Sequence, residues 1–395
     1  MKRPMTKQSR IFKLSQLVML VMIVVLMSVS CKMIDPDENN TGIDNDNEKE
    51  NNIDKQIDEI DDNNKNEEIK DDSENTDTKD EEEAKKPVEI DYQAVKPNEL
   101  GHIMVIMYHG IIDLPPYHVT EEQLLEQLQY MYDHKYRPIS VRDYIDNNIN
   151  IEAGYTPIVF TFDDGLSSTF SLIEENGELV PKPGTAIEII ERFSKTHPGF
   201  DSKAGLYING QKIFEGAGTV EERIKWLVDH GYDVGNHTAS HDKTQMLSKL
   251  DSRQIMKNIG IVDQIIKNAV PDYTVDSLAY TFGNRPVKAL RNLVLDGEYN
   301  NIKYNYSVAF KEGASAPYYS PLHTKFDPLN VARARGSKGE IQDMGWFFDY
   351  YEQHPEKKYI SDGNPDRVSI LEKDEDSVNK DKLREKELYL YKLNQ

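Results

Sequence analysis

The sequence predicts an α/β barrel, and three observations predict it. Short apolar runs recur along the chain with little polar alternation, the composition of strands covered on both faces. Helix-period runs opened by capping residues lie between them. Polar and ionisable residues fall at the ends of the apolar runs, where the strands of a barrel converge on one face.

The chain has 395 residues and a net charge of −22. That length allows one large domain or two ordinary ones. The acidic balance argues against a nucleic-acid partner, because phosphate binding requires a basic face. The amino terminus carries Lys2, Arg3, Lys7, Arg10 and Lys13, followed by a largely apolar, uncharged stretch from Leu17 to Val29. That stretch falls short of the ~20 residues a membrane span needs and matches a signal-peptide core. Cys31, the sole cysteine, follows directly after the small residues Ser28 and Ser30. A lone cysteine at the end of such a core resembles a bacterial lipoprotein site, with Ser28 standing where Leu is usual. Ordinary secretory cleavage is the alternative, and export is expected either way. The mature chain then has no thiol pair, so its fold rests on its core. From Lys32 to Lys86 the chain holds 22 Asp/Glu, 8 Lys/Arg and no aromatic residue. Such a segment cannot bury enough apolar surface to offset chain entropy, and an extended disordered tether is expected.

The folded part opens near Val88 to Gly101. His102 to Gly110 reads as a buried strand ending in Tyr108-His109. Thr120 and Gln123 form a capping box, and Leu124, Leu125, Leu128 and Met131 share one face of the helix that follows. Pro138 to Val141 is extended and leads into a helix through Tyr144. Ile158 to Phe162 is a second buried strand and runs into Asp163-Asp164-Gly165. Two adjacent carboxylates at a buried strand's end form either a solvated turn or a site that needs a counter-charge. A helix near Ala186 to Phe193 precedes the strand at Ala204 to Asn209. Thr219 and Glu222 cap a helix burying Ile224, Leu227 and Val228 and ending at Gly231. Tyr232 to Gly235 is a strand that delivers His237 and His241, whose spacing on a helical turn would place both imidazoles on one face. Asp251 opens a helix with Ile255, Ile259, Val262 and Ile266 in register. Leu278 to Gly283 is a strand, Pro286 to Leu295 a helix, and Tyr304 to Phe310 and Leu329 to Arg335 further strands. A charged helix is expected from Lys380 to Leu393.

Thr161-Phe162-Asp163-Asp164-Gly165 and His237-Thr238-Ala239-Ser240-His241 together resemble the first two motifs of the metal-dependent polysaccharide deacetylases, the fourth carbohydrate esterase family. The resemblance implies a distorted, incomplete (β/α) barrel, with Asp164, His237 and His241 as metal ligands and Asp163 as general base. A His₂-carboxylate set suits zinc first, with cobalt, nickel or iron as alternatives. The usual third motif, an Arg with Pro and an aromatic, is missing. Ala279-Tyr280-Thr281-Phe282-Gly283 instead resembles the Tyr-Pro-x-Gly variant of exported relatives, in which a later Arg replaces the missing one. Asp327 to Arg333 fits that later motif and nominates Arg333 as the partner of Asp163, with Arg335 or Arg285 as alternatives. The usual acid in a Leu-x-Leu-His motif is also missing. His109 is the nominated replacement, ahead of His323 and His354, with a buried core histidine as its alternative.

The expected organisation is a signal segment over 1–31 ending at the lipidated Cys31, an acidic linker over 32–95, the barrel over 96–340, and an extension over 341–395 of unassigned role. The expected function is removal of N-acetyl groups from a GlcNAc-containing envelope or extracellular polysaccharide by a membrane-anchored, exported hydrolase. O-acetyl esterase action, or glycan binding without catalysis, are the rivals. The oligomeric state is left open.

Overall fold

The computed structural model describes residues 90–211, 213–313, 318–337 and 343–394. The expected signal segment, Cys31 and all but the end of the expected linker lie outside them. The described residues begin inside the stretch expected as linker. There α1 (Tyr92–Val95) is capped by the Asp91 carboxylate, which accepts from the backbone N–H groups of Gln93 and Ala94. Its Tyr92 ring lies 4.8 Å from that of Tyr389, so this turn is tied down by the far end of the chain.

The next elements build the first wall of the barrel. They are β1 (Met104–Tyr108), α2 (Glu121–Asp133), β2 (Tyr136–Pro138), α3 (Val141–Asp146) and β3 (Thr156–Phe162). The capping box of Thr120 and Gln123 opens α2 as the sequence predicts, and Ser140 caps α3. β1 and β3 pair in parallel, Met104 opposite Ile158 through Tyr108 opposite Phe162. Every residue of both strands is buried, as continuous apolar runs require. On its other edge β3 is shared: β2 pairs with its first half and the later strand at 205–208 with its second.

A hairpin not foreseen in the sequence follows, β4 (Leu172–Glu175) and β5 (Glu178–Pro181), joined at Asn176-Gly177 with both residues at positive φ. The regular alternation then resumes with α4 (Ala186–Ser194), β6 (Gly205–Ile208), α5 (Val220–Asp229), β7 (Asp233–Asn236), α6 (Ser252–Ala269) and β8 (Ser277–Ala279). Capping boxes at Thr219 and Asp251 open α5 and α6. The expected helix over 286–295 is a 3₁₀ turn and then α7 (Asn292–Leu295). The expected strand over 304–310 divides into β10 (Ile302–Asn305), which pairs with β9 (Asp296–Tyr299), and β11 (Val308–Phe310).

The parallel sheet runs β11-β8-β7-β6-β3-β1 and continues to β12 (Ala334–Arg335). The strand expected over 329–335 is broken, and the break has a structural use. Val331 bonds to β11, whereas Ala334 and Arg335 pair with β1. One irregular segment thus touches both edges of the sheet and curls it into a distorted α/β barrel.

Strand alternation sorts the side chains. Ile106, Phe160, Leu206, Val234 and Leu278 face the helices and pack with Leu128, Ile190, Ile224 and Ile259. Val105, Val159, Tyr207, Ala279 and Phe310 fill the interior. Val159, Thr161 and Asp163 share the inward face, which aims Asp163 at the barrel axis.

The last stretch packs back onto the barrel. It contains α8 (Met344–Gln353), β13 (Arg367–Leu371) and β14 (Glu387–Tyr391), with Leu100, Leu322, Val368 and Ile370 in a small core of their own. The charged helix expected over 380–393 is absent: a 3₁₀ turn at Lys380–Lys382 leads to β14, paired in parallel with β13. Alternating Leu and Tyr residues fit a half-buried strand, and that periodicity outweighs the helix propensity of the charged residues before it.

Candidate active site

The site is built at the C-terminal tips of the strands. β3 ends at Phe162, and the Asp163 N–H donates to Tyr108 O at 3.0 Å, holding the tip against β1. Asp163 is buried, and Arg333 grips it with both arms. Nη1 donates to Oδ1 and Nη2 to Oδ2, each at 2.7 Å. The same guanidinium donates to Thr161 Oγ1 at 3.1 Å and to Lys311 O at 3.0 Å. Its side chain has 0% exposure, so it enters the interior as a cation with a partner on each of its three nitrogens. Burial works against ionising Asp163, but the charge and bonds of Arg333, with His237 also nearby, outweigh it and hold the carboxyl below the usual range.

Asp164 does not continue the strand. Its φ is +74°, and Gly165 follows at +61°. This left-handed step, which non-glycine residues seldom adopt, cancels the alternation that would send successive side chains to opposite faces. Both aspartates therefore reach one cavity. Asp164 Oδ1 lies 3.3 Å from His237 Nε2 and 3.4 Å from His241 Nε2. Burial pushes the Asp164 carboxyl up, but His237, with His109 and His241, more than offsets this and holds it well below its ordinary value.

The two histidines do not share a helical face, contrary to the expectation from their spacing. They flank an irregular loop after β7, in which Thr238 sits at φ +61°. Buried Asn236 shapes that loop. Its Oδ1 accepts from the Thr238 N–H at 2.8 Å, while its amide donates to Ile259 O and Tyr306 Oη. His237 is buried and its Nδ1 bonds Ala279 O at 2.8 Å. A carbonyl partner makes Nδ1 the protonated nitrogen and turns the Nε2 lone pair to the cavity. Burial tends to lower the His237 pKa, but Asp163 and Asp164 raise it overall.

One donor atom from each of Asp164, His237 and His241 lies within 4.8 Å of the others. Asp164 Oδ1 is buried and has no hydrogen-bond partner. A buried orphan carboxylate oxygen between two imidazole nitrogens is the donor set of a divalent cation site, and the residues present fit one.

The cavity has a volume of about 330 Å³. His109 lines it, with Nε2 4.0 Å from Asp164 Oδ2 and an unpartnered buried Nδ1. Burial pushes His109 below its ordinary pKa, against the opposing charges of Asp163 and Asp164. Met107, Tyr117, His118, Lys243, Tyr280, Phe282 and Glu312 complete the lining. None of these was singled out from the sequence as a site residue, although Tyr280 and Phe282 sit in the variant third motif. Arg335 lies at the rim, paired with Glu312 at 2.9 Å and beneath the Tyr117 ring. Arg285 does not line the cavity. His323 lies elsewhere, accepting from the Lys325 N–H and bridging to Val378, and His354 caps α8.

Among solved structures the chain is similar to BA0330 of Bacillus anthracis (18% identity, TM-score 0.40), covering 59% of this chain and 64% of that one. The chain thus spans less than two thirds of BA0330. It is also similar to the Streptococcus pyogenes deacetylase PplD (16% identity, TM-score 0.43), covering 59% of this chain and 92% of that one. IcaB from Ammonifex degensii aligns at 18% identity and TM-score 0.43, over 59% of this chain and 91% of that one. No curated protein matches the sequence. The polysaccharide deacetylase family model matches residues 151–299. That segment contains both aspartates and both histidines of the cavity.

Proposed function

We propose that the protein is a metal-dependent hydrolase that removes N-acetyl groups from a GlcNAc-containing polysaccharide of the cell envelope or its surroundings. The observation that carries this reading is the juxtaposition of an Asp-His-His donor set with a second carboxylate locked by a buried arginine. Asp164, His237 and His241 would hold the ion, and zinc is the first choice for these ligands. A divalent cation there supplies Lewis acidity, making a bound water more acidic and polarising the acetyl carbonyl.

The rest of the chemistry falls to side chains. Asp163, ionised by its pairing with Arg333, accepts the proton of the attacking water. Arg333 fixes the orientation of the carboxylate with its two parallel bonds. His109, which approaches Asp164 Oδ2 where His237 approaches Oδ1, is positioned to hand a proton to the departing amine. It does so as imidazolium, which its buried position makes scarce at neutral pH. The resulting rate profile is a bell whose basic limb falls below 6.5, the ordinary histidine value.

Export and attachment through a lipidated Cys31 are part of the proposal, supported by the cationic start and the apolar Leu17–Val29 core. Acetate release from chitooligosaccharides and from acetylated xylan, measured on zinc-loaded and chelated protein, tests the function. Release from the chitooligosaccharide alone, abolished by chelation, is expected. Preferential release from xylan would make it an O-acetyl esterase. Binding of either glycan without acetate release would make it a non-catalytic relative.

A further inference from the structure

The two histidines of the donor set are held by different means. His237 is buried and its outer nitrogen is fixed by Ala279 O at 2.8 Å. His241 is 34% exposed, and among the described residues no hydrogen bond reaches either of its ring nitrogens. Metal-binding histidines are ordinarily oriented through their second nitrogen, and no described protein group takes that role for His241. What it has is Phe282, whose ring centroid lies 4.2 Å from its own at a 54° tilt.

Phe282 occupies that place at a conformational cost. Its φ is +55° and its ψ is +21°, a left-handed geometry that bulky side chains seldom adopt. The surrounding turn enforces it. The Tyr280 N–H donates to Phe310 O at 2.9 Å, the Gly283 N–H to Tyr280 O at 3.0 Å, and the Asn284 N–H to Thr281 O at 3.0 Å. Asn284 Oδ1 accepts from the Ser248 N–H at 2.8 Å. The turn is joined to the histidine loop through Thr281 Oγ1 and Thr238 Oγ1, 3.2 Å apart. Strain of this kind persists only where the surroundings over-determine it, and it clusters at functional sites.

We propose that Phe282 is a positioning residue for His241: its strained backbone holds the ring as a wall that presets the imidazole of the exposed ligand. The inference rests on the Asp164-His237-His241 reading and adds a determinant of metal affinity supplied by the β8 turn. It predicts that side chain and backbone can be separated by substitution. Phe282→Ala removes the wall and keeps the strain. Phe282→Gly removes both. Phe282→Tyr keeps the wall.

The test is Zn²⁺ affinity by competition titration of the full chain, read beside the melting temperature of the chelated protein and the visible absorption of the Co²⁺ form. Phe282→Ala should weaken Zn²⁺ binding by about 10- to 100-fold, the usual weight of residues that orient a ligand, and should alter the Co²⁺ bands. Phe282→Gly should lose affinity equally while melting no lower than Phe282→Ala without metal. Phe282→Tyr should restore wild-type affinity and spectrum. Wild-type affinity in Phe282→Ala, or affinity losses that only track the metal-free melting temperature, would overturn the inference. Tight binding by wild type that is unaffected by His241→Ala would overturn the ligand assignment and the inference with it.

Discussion

Replacing Arg333 with methionine removes the countercharge of a buried carboxylate and leaves a side chain of comparable length. Both groups are shielded from water, with side-chain exposures of 0% and 3%. Two charge-assisted bonds of 2.7 Å are lost, and Asp163 is left without its cation. Breaking one side of a buried pair costs about 3–5 kcal/mol, mostly the penalty of the charge left behind. Asp163→Asn strips the partner in the opposite sense and strands the guanidinium. The double variant should therefore recover part of the loss, which a double-mutant cycle measures. The pH dependence follows from the direction of the shift. In wild type the Asp163 pKa is depressed below its ordinary 3.8. The pairing stabilises the fold above that value and is lost as pH falls through the lower folded value. Without Arg333 burial dominates and the folded pKa rises above 3.8. The sign then reverses, and Asp163 costs the variant stability as pH climbs past 3.8. Urea unfolding of the chelated proteins across this range reads the effect, and the acidic limb of the rate profile should move upward in the loaded variant. An Arg333→Met protein within ~0.5 kcal/mol of wild type, the spread of ordinary surface substitutions, with an unmoved acidic limb would refute the reasoning.

Glu99, buried beneath β13, gives a second pH effect of opposite sign. Burial, with Asp362 adding like charge, pushes its carboxyl from 4.5 up to about 8. A raised carboxyl favours the fold while protonated, so its contribution is full below pH 4.5 and is lost as pH rises toward 8, at most ~1.4 kcal/mol per pH unit; Glu99→Gln should flatten that slope in urea titrations. Asp164→Ala should abolish stoichiometric zinc binding and with it the rise in melting temperature that zinc gives wild type, a rise worth about 4 kcal/mol at a thousandfold excess over Kd; an equal rise in the variant would show that the metal sits elsewhere. His109→Gln should cut the rate by roughly 10²–10⁴-fold and remove the basic limb below 6.5, and an unchanged limb would assign it to another group. Cys31→Ser should shift the protein out of the membrane fraction, and failure of labelled fatty acid to appear on wild type would leave simple secretion.

How much of this could be read from residues alone depended on how local the determinant was. Capping boxes at Thr120 and Thr219 and the buried run through Phe162 are set by nearest neighbours, and the structure has them where the pattern puts them. The hairpin at Asn176-Gly177 was equally local, since Asn-Gly favours the positive φ angles of a two-residue turn, but its polar flanks hid the signal. The geometry of His237 and His241 was not local. Four-residue spacing also fits a loop, and the loop here is fixed by Asn236, whose partners lie on α6 and at Tyr306. The meeting of Asp163 and Arg333, 170 positions apart, rested on motif resemblance, and no periodicity foretells it. The cavity residues Tyr117, Lys243 and Glu312 carried no signal, because each becomes adjacent to the site only when the strand tips converge.

That convergence explains why an irregular closing segment serves the site. A regular strand over 329–335 would bond continuously to one neighbour. Here the chain bonds to β11 at Val331, leaves it, and meets β1 at Ala334. Arg333 sits next to the point of exchange. Its guanidinium enters the barrel between the two edges, where Lys311 O is turned to accept from Nε. Thr161 and Asp163, on the inward face of β3, supply the remaining acceptors. A charge inside a small barrel would ordinarily be expelled. This one is kept because the broken strand exposes a carbonyl that a regular sheet would have used, and because its carboxylate partner lines the cavity beside it. The feature that distorts the barrel is thus the one that lets it hold an ionised carboxylate beside Asp164, His237 and His241.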